Sequence, residues 1–332
     1  MTSKIKYYFE KNYELFFCIL LLLVIFLIAV NPNPYMVSTF DGLKIWATIV
    51  LPSLFCFMIL TKLLIQNKYT NSIFSLINYP FKKIYQTSFG GYIFLMSIIS
   101  GYPLGCKLIS EFYNSNQISY DEAKILTSFC STSGPMFIIG SLSVGMFNSS
   151  AIGLRLLLVH IVSALLNGII YKTKTKIDKK IENKNILLNK TSATKQTLNE
   201  IMLDTIVSSF MVGGFICLSF TLINFLSNFK IIDAILNLLN MFIPNSKSII
   251  DAILSGMIEL TNGCVKLSTL DFSRWIFIAL SGLLAFGGLS IHLQSQVFLS
   301  KCKIKYSYFL LTKTTQAIIA CVVSAVFSMF LF

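Results

Sequence analysis

The chain has 332 residues, of which 55% are hydrophobic and only 12% charged, with a mean hydropathy of +0.73. Those values exclude a pair of ordinary soluble domains. The formal net charge of +13 does not build a nucleic-acid-binding face, because the basic residues cluster beside apolar runs, the positive-inside pattern of membrane proteins.

The first fourteen residues carry Lys4, Lys6 and Lys11, and residues 15–30 form an unbroken apolar run. A signal peptide starts the same way, but Asn31-Pro32-Asn33-Pro34 follows without a small-residue cleavage site. The pattern therefore predicts an uncleaved transmembrane helix with a cytoplasmic N-terminus and an outer turn, together residues 1–40. Residues 43–65 are expected to cross back, with Lys62, Lys68, Lys82 and Lys83 marking the inner side. Residues 69–85 mix apolar and polar positions and predict an interfacial amphipathic helix bent at Pro80.

Residues 89–100 are apolar but would rise only ~18 Å as a helix, too short for a ~30 Å hydrocarbon core. Gly101-Tyr102-Pro103-Leu104-Gly105 breaks the run, and residues 106–113 can lead the chain back. A re-entrant gate hairpin over 88–116 is the expectation. Residues 122–147 are long enough to span but are interrupted by Ser131-Thr132-Ser133-Gly134-Pro135, which predicts a broken helix. Asp121 and Glu122 suit its positive N-terminal end. Residues 151–171 cross back, with Arg155 able to snorkel. Residues 172–200 hold eight lysines against Asp178, Glu182 and Glu200 and read as a basic cytoplasmic linker.

The order of elements then repeats. Residues 201–226 cross outward, and 229–243 form a second interfacial stretch ending at Pro244. A second gate hairpin is expected over 247–270, broken at Glu259-Leu260-Thr261-Asn262-Gly263. A second broken helix covers 274–300, interrupted at Gly287-Gly288, and 306–330 forms the last crossing. Local similarity between Ser100-Gly101…Gly105-Cys106-Lys107 and Ser255-Gly256…Gly263-Cys264…Lys266 supports a duplication. The expected fold is an all-α membrane protein with about seven transmembrane helices, plus two re-entrant hairpins and two broken helices. Its halves, 41–171 and 201–332, form an inverted-topology repeat.

Broken backbone and charge at membrane depth are costly unless they line a protected, wet cavity. The candidate substrate-binding residues therefore cluster at the breaks. Gly101, Tyr102, Pro103 and Gly105 form the first tip, with Lys107 just beyond as a candidate cation for a carboxylate. Lys107 can equally pair with Glu111 one turn on, or snorkel. Ser131, Ser133 and Gly134 mark the first broken helix. Glu259, Thr261 and Asn262 mark the second tip; Glu259 can bind a polar substrate group, carry a coupling proton, or pair with Lys266 or Lys107. Gly287 and Gly288, followed by His292 and Gln294, mark the second broken helix. The hydroxyls can bind substrate or satisfy the broken backbone, and Tyr102 can stack on a ring or simply pack.

No metal or cofactor is expected, since the eight cysteines form no C-x-x-C and His160 and His292 lie far apart without acidic neighbours. No nucleotide-binding loop appears, and no nucleophile–base pair sits at comparable depth, so an enzyme is not expected. The coupling ion, sodium or proton, stays open.

Three motifs resemble those of the YlbJ family of sporulation integral membrane proteins: Ser100-Gly101-Tyr102-Pro103-Leu104-Gly105-Cys106-Lys107, Ser131-Thr132-Ser133-Gly134-Pro135-Met136-Phe137-Ile138-Ile139-Gly140, and Phe286-Gly287-Gly288-Leu289-Ser290-Ile291-His292-Leu293-Gln294. That family belongs to the Gate, or nucleoside-recognition, superfamily related to concentrative nucleoside transporters. Cys106 stands where Ala is expected. The resemblance implies a spore-former, mother-cell expression, a place in the outer forespore membrane, and secondary export of dipicolinic acid toward the forespore. The partners implied are the bilayer and a small anionic substrate, with a homo-oligomer left open and no nucleic acid. The same residues also accommodate a nucleoside or nucleobase transporter, and a non-transporting sporulation scaffold is the alternative from another class.

Overall fold

Backbone inside a bilayer has no water to bond to, so an apolar chain pairs its own amides and carbonyls in helices. The computed structural model describes residues 2–66, 68–174, 197–240 and 246–329, and every regular element among them is helical. Helix α1 (Thr2–Val30) keeps the apolar side chains from Leu15 to Leu23 exposed and ends in a 97° bend at Asn31-Pro32. Helix α2 (Asn33–Ile45) follows at once and runs through a π-helical turn (Trp46–Val50) into α3 (Leu51–Gln66). The expected outer turn up to residue 40 and a helix starting at 43 are thus corrected. The reason is Pro34, which sits in the first helical turn, where an N–H has no partner to lose. Pro52, one residue into α3, follows the widened π turn, which takes up its missing N–H.

Helix α4 (Lys68–Tyr85) contains Pro80, and Asn78 nearby accepts through Oδ1 from the Tyr92 amide at 2.8 Å. Helices α5 (Gly90–Ser100) and α6 (Leu104–Asn114) are the two arms of the first hairpin. Each arm has 11 residues and rises about 16 Å, half a bilayer core. Ser119 then caps α7 (Tyr120–Phe129) in a capping box with Glu122. Buried Glu122 also accepts from the Ser88 amide at 2.9 Å, so the acid that caps α7 ties down the entry to the hairpin. After a break, a π-helical segment (Met136–Val144) leads through α8 (Gly145–Phe147) to α9 (Ser150–Lys174).

The polar linker predicted over 172–200 is shorter at both ends, because α9 extends to Lys174 and α10 (Leu198–Asn228) begins at a Thr197–Glu200 capping box; 175–196 lie outside the described residues. Helix α11 (Ile231–Asn240) accounts for most of the second amphipathic stretch, whose last residues, like residue 330, also lie outside them. The second hairpin consists of α12 (Lys247–Ile258) and α13 (Leu260–Ser268). Helices α14 (Arg274–Phe286) and α15 (Gly288–Leu299), a short 3-10 turn (Ser300–Cys302) and α16 (Tyr306–Ser328) complete the chain.

Among the described residues, four helices are long and apolar enough to cross a membrane: Ser150–Lys172, Leu198–Asn228, Arg274–Cys302 and Tyr306–Ser328. The bent pair Glu14–Val30 and Asn33–Val50 makes a fifth if taken as one span. The protein is an integral membrane protein. Of four buried clusters among the described residues, the two largest surround the hairpins. One packs Phe81, Tyr85, Phe94 and Phe129 around the first hairpin, with Tyr85 and Phe129 stacked at 4.6 Å. The other packs Leu260, Phe277, Leu280 and Leu284 around the second. Helix α2 lies along α10, and α16 lies against both α9 and α14. Helix α6 of the first hairpin packs on α15, and α13 of the second packs on α8.

Candidate functional site

At the first hairpin tip α5 ends at Gly101, whose φ of +74° is open to glycine at little cost. A Cβ there would lie 2.8 Å from the Gly134 amide, so tip and broken helix meet backbone to backbone. Gly105 is tighter still: its Cβ would fall 1.7 Å from the Cys130 carbonyl. Residues 131–134 leave the helix, and side chains bond backbone groups at the break. The Ser97 hydroxyl donates to the Cys130 carbonyl and pairs with Thr132 Oγ1 at 2.8 Å. Asn167 Nδ2 donates to the Ser128 carbonyl at 2.7 Å and to the Thr312 carbonyl at 3.0 Å. The Ser133 amide donates to His160 Nε2 at 3.0 Å, and Lys313 Nζ donates to the Ser131 carbonyl at 2.8 Å.

The second hairpin breaks at one residue rather than across the predicted five, since Thr261, Asn262 and Gly263 already belong to α13. Glu259 is extended, and its carboxylate caps α13 by accepting from the Asn262 amide at 2.9 Å. Lys266 bonds Asp251 Oδ2 and Ser255 Oγ, both at 2.8 Å, so the anticipated Glu259–Lys266 pair is not formed. Gly256 lies inside α12, whereas Gly101 sits at the break itself, so the two Ser-Gly steps are not structurally equivalent. Gly256 instead packs on Gly263, where a Cβ would come within 2.4 Å of the Gly256 Cα. The second broken helix bends at Gly287 and Gly288 (φ +91° and +75°), and His292 Nε2 bonds the freed Phe286 carbonyl at 2.8 Å.

Both tips and both broken helices meet at one cavity of about 430 Å³, within the usual size range of small-molecule sites. Of the predicted residues, Gly101, Tyr102 and Pro103 line it from the first tip, and Ser133 and Gly134 from the first break. Glu259, Thr261 and Gln294 line it from the opposite side, and α3 and α10 supply apolar walls that include Phe57 and Phe215. Among the described residues, Glu259 is the one carboxylate on the lining, and no lysine or arginine lines it.

The other predicted residues lie elsewhere. Lys107 is half exposed on α6, its Nζ 3.9 Å from Glu111 Oε1. Gly105, Ser131, Asn262, Gly287, Gly288 and His292 stand behind the cavity wall, in packing or in satisfying the breaks. Tyr102 joins the halves: its hydroxyl donates to the Leu284 carbonyl at 3.3 Å, and its ring lies 3.4 Å from where a Gly287 Cβ would be.

Sequence reasoning passed over Lys313, Gln316, Asn167 and His160 as support for the first break. The missed signal was there for one of them, since Lys313 is the only lysine in an otherwise apolar stretch that closes the chain. It is fully buried, and its Nζ donates to the Tyr102 hydroxyl at 2.9 Å, the Ser131 carbonyl at 2.8 Å and Gln316 Oε1 at 2.8 Å.

No family model matches the chain, and no solved structure matches it. The sporulation integral membrane protein YlbJ of Bacillus subtilis (strain 168) is 30% identical over 316 residues, covering 88% of this chain and 77% of that protein. At that identity and coverage, the chain belongs to the family of the sporulation integral membrane protein YlbJ.

Proposed function

We propose that this protein is a secondary transporter that moves a small ring-bearing solute across a membrane of a sporulating cell, and that it is not an enzyme. One observation carries the reading: two hairpin tips and two broken helices, drawn from both halves of the chain, converge on one cavity. Carriers build midplane sites this way, because half-helix ends and unwound backbone can bind solute only where they line a cavity. In each half an amphipathic helix is followed by a hairpin, a broken helix and a long helix. The cross-packing of α6 on α15 and of α13 on α8 fits an inverted repeat of about seven spans with a cytoplasmic N-terminus.

Dipicolinate, moved toward the forespore across its outer membrane, is the first candidate through the family resemblance. It is a flat aromatic dicarboxylate that suits a cavity with Tyr102, Phe57 and Phe215 on its walls. A nucleoside is the second, favoured by a lining that offers Glu259, Thr261 and Gln294 but no basic side chain. Uptake of labelled dipicolinate and of labelled uridine into proteoliposomes separates them. Dipicolinate entry is expected, and Glu259→Gln is expected to slow entry of uridine more than of dipicolinate. Uridine entry alone would move the assignment to the nucleoside, and movement of neither would favour a membrane scaffold.

A further inference from the structure

Helix α7 ends at the first break with carbonyls that no amide of its own chain segment can reach. In broken-helix carriers such unwound carbonyls and half-helix C-terminal ends attract cations, since the helix dipole is negative there. Here the position is filled from α16. The Lys313 ammonium reaches the Ser131 carbonyl inside the break, the Gln316 amide oxygen on its own helix, and the Tyr102 hydroxyl on the first hairpin tip. Three donors meet three acceptors, the full capacity of an ammonium group. Its three partners are a hydroxyl, a carbonyl and an amide oxygen, and neither Lys107–Glu111 nor Lys266–Asp251 involves it, so none of its partners is a carboxylate.

We infer that Lys313 is a built-in coupling cation: it occupies the cation position at the first break, and the proton it carries decides whether the first hairpin tip is bonded to the second broken helix. This inference rests on the transporter reading for its role in transport but not for the switch itself. The switch follows from counting hydrogens. An ammonium donates to all three acceptors, which leaves the Tyr102 hydroxyl hydrogen free for the Leu284 carbonyl at the end of α14. A neutral amine has two hydrogens and a lone pair, so one contact must reverse. The Ser131 carbonyl cannot donate, and Gln316 can do so only by turning its amide over. Tyr102 needs only to rotate its hydroxyl toward Nζ, which releases Leu284. Loss of one proton therefore breaks the direct bond between a tip and a broken helix that both border the cavity.

Other titratable groups near Lys313 do not compete for this role. Tyr102 is its partner, and the Cys106 thiol on α6 lies beside the Ser131 and Ser295 hydroxyls. From α9, His160 accepts from the Ser133 amide and Tyr171 meets Thr315 Oγ1. From α15, His292 is held by the Phe286 carbonyl and lies near Tyr306. From α14, Arg274 reaches the Ala325 carbonyl at the far end of α16. From α7, Glu122 is committed to the Ser119 and Ser88 amides, and Lys124 sits over the Tyr308 ring.

Two measurements on the full chain test the inference. The first needs no substrate: hydrogen exchange of the peptide around residues 97–107 in detergent, corrected for the intrinsic pH dependence of exchange. A pH-dependent step in protection is expected in the unsubstituted protein and should vanish in Lys313→Met and in Tyr102→Phe. A step that survives in both variants, or its absence from the unsubstituted protein, overturns the switch. The second uses proteoliposomes with a pH dye inside and whichever solute, dipicolinate or uridine, the protein exchanges. Lys313→Ala should lower pH-driven accumulation about tenfold while solute exchange persists, and sodium should restore accumulation by filling the emptied site. Unchanged pH-driven accumulation in Lys313→Ala, or a sodium requirement in the unsubstituted protein, overturns the coupling role. If neither solute exchanges while the protection step behaves as expected, the transporter reading fails and the switch stands.

Discussion

Between Phe129 and Met136 the chain leaves the helix over residues 131–134, and backbone groups at the break are bonded by Ser97, Asn167, His160 and Lys313 from three other elements. Between Phe286 and Gly288 the interruption is a single left-handed glycine followed by another, and one freed carbonyl is met by His292 six residues on. The second hairpin is equally self-contained, since Glu259 caps the helix it begins. The first half thus depends on α9 and α16 staying in place, whereas the second is largely satisfied by its own neighbours. A rearrangement that moves α9 or α16 must disturb the first break, and its hydrogen-bonded route to the second runs through Lys313, Tyr102 and the Leu284 carbonyl.

The largest expected effect tests how closely the first half is packed. Gly105→Val would drive side-chain carbon into the Cys130 carbonyl, which is backbone and cannot step aside. Overpacking of this kind costs about 3 kcal/mol or more, and loss of monodisperse protein in detergent size-exclusion chromatography is the expected result. Gly263→Ala meets the Gly256 Cα across the second hairpin and should cost about 1–3 kcal/mol, leaving a folded but less heat-stable protein. If the two variants behave alike, the hairpins are equally tight and this part of the contrast is wrong.

A middle-sized effect separates borrowed bonds from local ones. Asn167→Ala takes the side-chain donor from the Ser128 carbonyl, at about 1–3 kcal/mol, and removes an acceptor of the Thr315 hydroxyl, while the Thr312 carbonyl keeps Thr315 Oγ1. His292→Ala leaves only the Phe286 carbonyl and an exchangeable contact with Tyr306. Thermal unfolding in detergent should therefore place Asn167→Ala well below His292→Ala. Equal shifts would show that the second break depends on its histidine as much as the first depends on α9.

Where the chain breaks was legible in the sequence because glycine, proline and hydroxyl residues interrupt apolar runs too short or too broken to span. Gly101, Gly134 and Gly287 each fall at an observed break. The exact site in the second hairpin was not, since an extended Glu259 carries no such punctuation, and Gly263 marks close packing rather than a turn. The start of α2 was misplaced because Pro34 reads as a turn unless its place in a first helical turn is known. What closes the first break was illegible for a different reason. Lys313 and Ser131 are 182 positions apart, and Asn167 and Thr312 are 145 apart. No local pattern encodes a partner at that distance. Only the cost of a charge in an apolar run marks Lys313 as needing one, and the same rule drew attention to Lys107 instead.

That last choice sets the smallest prediction. Lys107 and Glu111 are each about half exposed, 3.9 Å apart on the outer face of α6, and neither lines the cavity. Long side chains in such a setting lose rotamer freedom to gain an attraction of about 0.2–1 kcal/mol, so removing one partner changes little. Lys107→Ala should leave thermal stability nearly unchanged and solute entry within about twofold, a factor worth less than 1 kcal/mol. Lys313→Ala differs from it only in where the charge stands, buried at the break rather than half exposed on the hairpin. If Lys107→Ala lowered pH-driven accumulation as severely as Lys313→Ala, the cation that matters to the first tip would be the exposed one, and the dependence of the first break on α16 would no longer explain the difference between the halves.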